Sequence, residues 1–175
     1  MQLWEAPGRM STLHPADASS SGAEDCRSIA VIGTVHLDMN CAAAFPYFTP
    51  LGERAWAEGW DPRFLADTPD DSALGTVFEI AHGDMRETWI VCAREPDRAM
   101  QYARVRPGSH AGTVSVTLAA DGTACVATVE YRLTALTDHG IQDLRRFAAH
   151  YPTFLHHWET SIGRAHRERS IENPQ

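Results

Sequence analysis

Tight turns punctuate the chain from residue 75 to residue 134, and that punctuation constrains its fold more than any other feature. Gly83-Asp84, Pro96-Asp97, Pro107-Gly108-Ser109 and Asp121-Gly122 separate five runs, 75–82, 86–95, 99–106, 111–119 and 123–134. Connections this short join antiparallel neighbours, because a parallel pair needs a crossover of a dozen residues or more. The spacing predicts an antiparallel meander. Alternation along a strand then sorts the faces. Val129, Tyr131 and Leu133 share one face of the last run, and Val114, Val116 and Leu118 share one of the run before. Phe78 and Ile80 go together on the first. Parity is ambiguous on the two middle runs, where Trp89 with Val91 and Met100 with Tyr102 are taken as inward.

After the last run the period changes. Ile141, Leu144, Phe147, Ala148, Tyr151, Phe154, Leu155, Trp158 and Ile162 recur in steps of three and four, the signature of a helix with one apolar stripe. The helix is expected over residues 140–167, capped by Thr137 or Asp138 and bent near Ala148 to Pro152, because proline lacks the amide hydrogen. Ahead of the meander, residues 28–38 alternate as another strand. Asn40 suits a helix cap, and two short helices are expected over 41–48 and 51–56, limited by Pro46 and Pro50. Gly59-Trp60-Asp61-Pro62 reads as a turn. Residues 1–27 read as a flexible polar tail, 28–167 as one domain and 168–175 as a short C-terminal tail.

Composition narrows the partners. A net charge of −8 argues against a nucleic-acid surface and against anionic lipid. All fifteen basic residues are arginine, so lysine chemistry is excluded. Cys26, Cys41, Cys92 and Cys125 form neither a CxxC nor a zinc pattern. With no export signal in the first residues they read as reduced thiols of a cytoplasmic protein. No apolar run is long enough to span a membrane. His150, His156 and His157 lack converging ligands, so no metal is expected. His82 and Cys41 have no recognisable catalytic partner, Glu53 reads as pairing with an arginine of the sheet rim, and nucleotide and nucleophile-elbow motifs are absent.

Several local motifs carry a resemblance. Phe45 to Phe48, Pro50-Leu51-Gly52-Glu53-Arg54-Ala55-Trp56, Gly59-Trp60-Asp61-Pro62, Gly75-Thr76-Val77-Phe78, Thr88-Trp89-Ile90-Val91 and Tyr131-Arg132-Leu133-Thr134-Ala135-Leu136 are similar to stretches of small bacterial members of the SRPBCC superfamily. These are the START/Bet v 1-like and polyketide cyclase/dehydrase-like proteins. The resemblance spans most of residues 29–162 and implies an α+β helix-grip fold, a curved antiparallel sheet wrapped around the long C-terminal helix, with a hollow between them. The two short helices would close one end of that hollow.

The expected function is binding of a small hydrophobic or amphipathic molecule there. The expected lining is Trp56, Trp60, Phe78, Trp89, Tyr102, Tyr131, Tyr151, Phe154 and Trp158, with the three tyrosine hydroxyls and the indole nitrogens of Trp89 and Trp158 as polar handles. Two alternatives stay open: a polyketide cyclase/dehydratase-like enzyme using the same cavity, and an interaction module whose cavity is vestigial. No cofactor, nucleic acid or membrane span is expected, and a homodimer is left open.

Overall fold

The computed structural model describes residues 27–172, so most of the expected N-terminal tail lies outside the described residues. Seven strands form one antiparallel sheet: β1 (Ser28–Leu37), β2 (Arg63–Phe64), β3 (Val77–His82), β4 (Met85–Glu95), β5 (Ala99–Arg106), β6 (His110–Asp121) and β7 (Ala124–Ala135). Their order across the sheet is β1-β7-β6-β5-β4-β3-β2, so β3 to β7 form the meander and β1 returns to pair with its last strand. The turns between β3 and β7 have positive φ at Gly83, Asp97, Gly108 and Gly122, the conformation that glycine and aspartate tolerate best. β2 was not legible in the sequence; two residues pair with Phe78 and Glu79.

Between β1 and β2 the chain turns back across one end of the sheet. Asn40 caps α1 (Cys41–Ala44) by accepting the Ala43 amide. Pro46 then tightens the chain into a 3-10 turn, Phe45–Phe48, and a second follows at Gly52–Ala55. Side-chain bonds to main-chain carbonyls help tie this segment down. Trp56 Nε1 donates to the Tyr47 carbonyl (2.7 Å), Trp60 Nε1 to that of Pro50 (2.8 Å), and the Tyr102 hydroxyl to that of Phe48 (2.7 Å).

The long helix, α2 (Asp138–Glu172), starts where Thr137 Oγ1 accepts the Gly140 amide and donates to the Gly108 carbonyl. It runs unbroken through Pro152 and on to Glu172, past Arg167, where the sequence places its end. Its stripe packs on β1 and β7. Gly33 permits the close approach: a Cβ there would meet Leu155 Cδ1 at 2.5 Å. The core between sheet and helix includes Val35, Leu37, Phe48, Ile80, Met100, Val129, Leu144 and Ile162, all nearly inaccessible. No helix among the described residues is long and apolar enough to cross a membrane.

Candidate functional site

The core does not fill the whole space between sheet and helix. A cavity of about 400 Å³ remains, bounded by the sheet, by Phe147, Phe154 and Trp158 of α2, and by Glu53 to Trp60 of the crossing segment. Seven of the nine expected residues line it: Trp56, Trp60, Trp89, Tyr102, Tyr131, Phe154 and Trp158. Their rings meet mostly edge to face, with Trp56 and Trp158 at 5.0 Å, Trp60 and Trp89 at 5.3 Å and Tyr131 and Phe147 at 5.0 Å.

Phe78 and Tyr151 lie elsewhere. Phe78 is sealed among Trp60, Phe64, Trp89 and Tyr102, and Tyr151 is buried with its hydroxyl donated to the Val129 carbonyl (2.8 Å). The Tyr102 hydroxyl is likewise committed to Phe48, so of the three expected tyrosine handles only that of Tyr131 has no hydrogen-bond partner among the described residues. Burial raises the Tyr131 phenol well above its ordinary pKa; the Arg104 guanidinium pulls it down and the Glu53 carboxyl pushes it up, so the phenol feels both a cation and an acid.

The sequence reading missed Glu87, Arg104, Arg106 and His110 of this cavity. Glu87 is 3% exposed and receives two 2.9 Å bonds from Arg104 Nη2. Arg106 Nε stands 3.6 Å from the same carboxylate, and the half-exposed His82 4.0 Å from it at the mouth. The Arg104 guanidinium also lies over the Trp89 ring, 4.7 Å from its centre. These residues face one another because Trp89 opposes Arg104 across β4 and β5, while Ile80 opposes Glu87 and Arg106 opposes His110.

His110 belongs to a chain of hydrogen bonds that sets its tautomer. Ser109 Oγ donates to Asp143 Oδ2 (2.7 Å), so it can only accept from His110 Nδ1 (2.9 Å). The proton therefore sits on Nδ1, and Nε2 is a lone-pair acceptor, buried and without a partner among the described residues. Burial, reinforced by Arg104, lowers the His110 pKa to about 4, which keeps the ring neutral at pH 7. Asp143 is held below its usual range, first by the Ser109 bond. Trp89 Nε1 and Arg104 Nε are also buried without partners among the described residues.

Glu53 is alone. It is 8% exposed, and among the described residues its carboxyl has neither a hydrogen bond nor an ion-pair partner. The expected arginine is absent: neighbouring Arg54 pairs with Asp61 instead (2.7 Å). Desolvation raises the Glu53 pKa to about 8, so the acid is mostly protonated at pH 7. His150, His156 and His157 lie exposed on α2, outside the cavity, and no group of three potential metal ligands gathers among the described residues.

A seven-stranded curved sheet gripping one long C-terminal helix, with two short helical turns after the first strand, decides the architecture. The fold is the helix grip. No family model and no curated protein sequence matches the chain. Solved structures match it. CalU16 from Micromonospora echinospora is 18% identical, with a TM-score of 0.57 over 82% of this chain and 84% of that one. Protein MLL2253 from Mesorhizobium loti is 17% identical, with a TM-score of 0.59 over 78% and 98%. Norcoclaurine synthase from Thalictrum flavum, in complex with dopamine and hydroxybenzaldehyde, is 8% identical, with a TM-score of 0.57 over 93% and 99%. At these identities the likeness establishes the fold alone.

Proposed function

We propose that this protein binds a small amphipathic molecule, an aromatic or fused-ring body carrying a hydroxyl or carbonyl head, in the cavity between sheet and α2. One observation carries the reading. The cavity walls are aromatic, and side chains that line it carry polar atoms without a partner among the described residues: the Tyr131 hydroxyl, the Glu53 carboxyl, His110 Nε2, Trp89 Nε1 and Arg104 Nε. A volume of about 400 Å³ falls in the range of small-molecule sites. Arg104 and Arg106 bring two guanidinium groups to the polar end beside the Glu87 carboxylate, and donors of this kind suit an electron-rich oxygen. The same fold in norcoclaurine synthase accommodates aromatic molecules, which supports the choice of an aromatic body.

A second reading, an enzyme of the cyclase/dehydratase kind, is favoured by Glu53. A protonated carboxyl in an apolar cavity, with a pKa near the working pH, is suited to give up and take back a proton. The interaction-module reading has no such observation behind it.

Thermal shift with three probes tests the binding reading: 2-naphthol, 2-methylnaphthalene, which has no head, and laurate. The expected order is 2-naphthol above the other two, with its advantage over 2-methylnaphthalene reduced in Tyr131→Phe. If no probe raises the melting temperature, or if head and headless probes act alike, the proposed recognition is wrong.

A further inference from the structure

Two thiols far apart in sequence meet beside the crossing segment. Cys41 Sγ and Cys125 Sγ are 2.7 Å apart, although the residues are separated by 84 positions. Cys125 sits on β7 opposite Leu37 of β1 and is completely buried, while Cys41 begins α1 and is half-buried. The chain leaves Leu37, turns through Met39, whose amide bonds back to the Leu37 carbonyl, and brings Cys41 over its own strand's partner. Non-bonded sulfurs at this separation are a short movement from the ~2.05 Å of a covalent bond. No sequence spacing announces the pair, and nothing in the binding site uses it.

We propose that Cys41 and Cys125 form a reversible disulfide that pins α1, the root of the segment carrying Glu53, Trp56 and Trp60, to β7. The oxidant is a peroxide. Cys41, the accessible partner, attacks one peroxide oxygen as its thiolate; the O–O bond breaks, hydroxide leaves and takes up a proton as water, and Cys41 becomes a sulfenic acid. The Cys125 sulfur then attacks the Cys41 sulfur. The S–O bond breaks, and the departing hydroxide takes the Cys125 proton to leave as a second water. Two thiols and one peroxide give one disulfide and two waters. Burial holds the Cys125 thiol well above its ordinary pKa, which assigns it the resolving step and not the first attack. Closing a loop of 84 residues restricts the unfolded chain and stabilises the oxidised fold. A dithiol reductant reverses the reaction by thiol–disulfide exchange.

The test uses the full chain with Cys26→Ser and Cys92→Ser, which leaves only this pair. After treatment with hydrogen peroxide, the expected result is loss of two hydrogen masses and no thiol titratable in denaturant. The melting temperature should rise by several degrees and be restored by dithiothreitol. Hydrogen exchange across residues 41–60 should slow on oxidation. In the same background, Cys125→Ser should stop at a Cys41 sulfenic acid that dimedone traps; if that variant does not fold, Cys41→Ser should leave Cys125 unoxidised. Two thiols still titratable after peroxide, or a mass gain from oxygen without loss of hydrogen, overturns the disulfide. A disulfide that leaves exchange over 41–60 unchanged overturns its pinning role.

Discussion

Replacing Glu53 by glutamine keeps the shape of the neutral acid and removes its titration. In the folded chain the carboxyl pKa rises from 4.5 to about 8, with desolvation as the cause. The unfolded chain releases this proton near the ordinary value while the folded chain keeps it, so between those two values the folded state binds more protons. Stability from this group is full below the unfolded pKa and declines as pH rises toward the folded one. At about 1.4 kcal/mol per tenfold change in proton affinity, the loss reaches a ceiling of about 5 kcal/mol once both states are ionised. Water entering from the cavity mouth lowers this toward about 2–4 kcal/mol. Urea denaturation of both proteins at about pH 5 and about pH 9 measures it, with the slope checked for constancy. The stability of Glu53→Gln relative to the parent should increase by that amount across the interval. Other titrating groups, His110 included, are common to both and cancel. If the relative stability stays constant within about 0.5 kcal/mol, the carboxyl is ionised and hydrated in the fold, and both its solitude and its suitability for proton transfer are wrong.

Two further outcomes follow from the same geometry. Arg104→Leu leaves Glu87 buried without its bidentate partner and should cost about 3–5 kcal/mol in chemical denaturation, whereas Arg104→Leu with Glu87→Leu should recover most of the loss; a double variant no better than the single would show that the pair is not coupled. Tyr151→Phe removes the bond to the Val129 carbonyl and should cost about 1 kcal/mol, while Tyr131→Phe, with no partner to lose, should cost about half that or less; equal losses would mean that Tyr131 bonds within the fold.

The cavity's aromatic wall was legible and its polar end was not, for one reason. Parity was applied to the apolar middles of the strands and stopped there. Continued outward by two to four residues, the face of Trp89 and Val91 reaches Glu87, that of Met100 and Tyr102 reaches Arg104 and Arg106, and that of Val114 reaches His110. All four residues line the cavity. A charged residue on an inward face near a strand end reads as solvent-bound unless a partner across the sheet is known, and the partner depends on register.

The sequence by itself determined the elements whose causes are local. Strand alternation, the turn residues at Gly83, Asp97, Gly108 and Gly122, and the three–four stripe of α2 are each set within a few residues of backbone, and they were enough to specify an antiparallel meander followed by one long amphipathic helix. Tertiary structure decided which side chains share a space. It gave Glu87 to Arg104 and not to a residue beside it. Among the described residues it committed the Tyr102 and Tyr151 hydroxyls to main-chain carbonyls, left that of Tyr131 without a partner and gave Glu53 no arginine, and it brought together two cysteines 84 positions apart. These outcomes depend on strand register and on the path of the crossing segment, which place groups within a few ångströms whatever their separation along the chain; hydrogen bonding, desolvation and charge act through that distance in space.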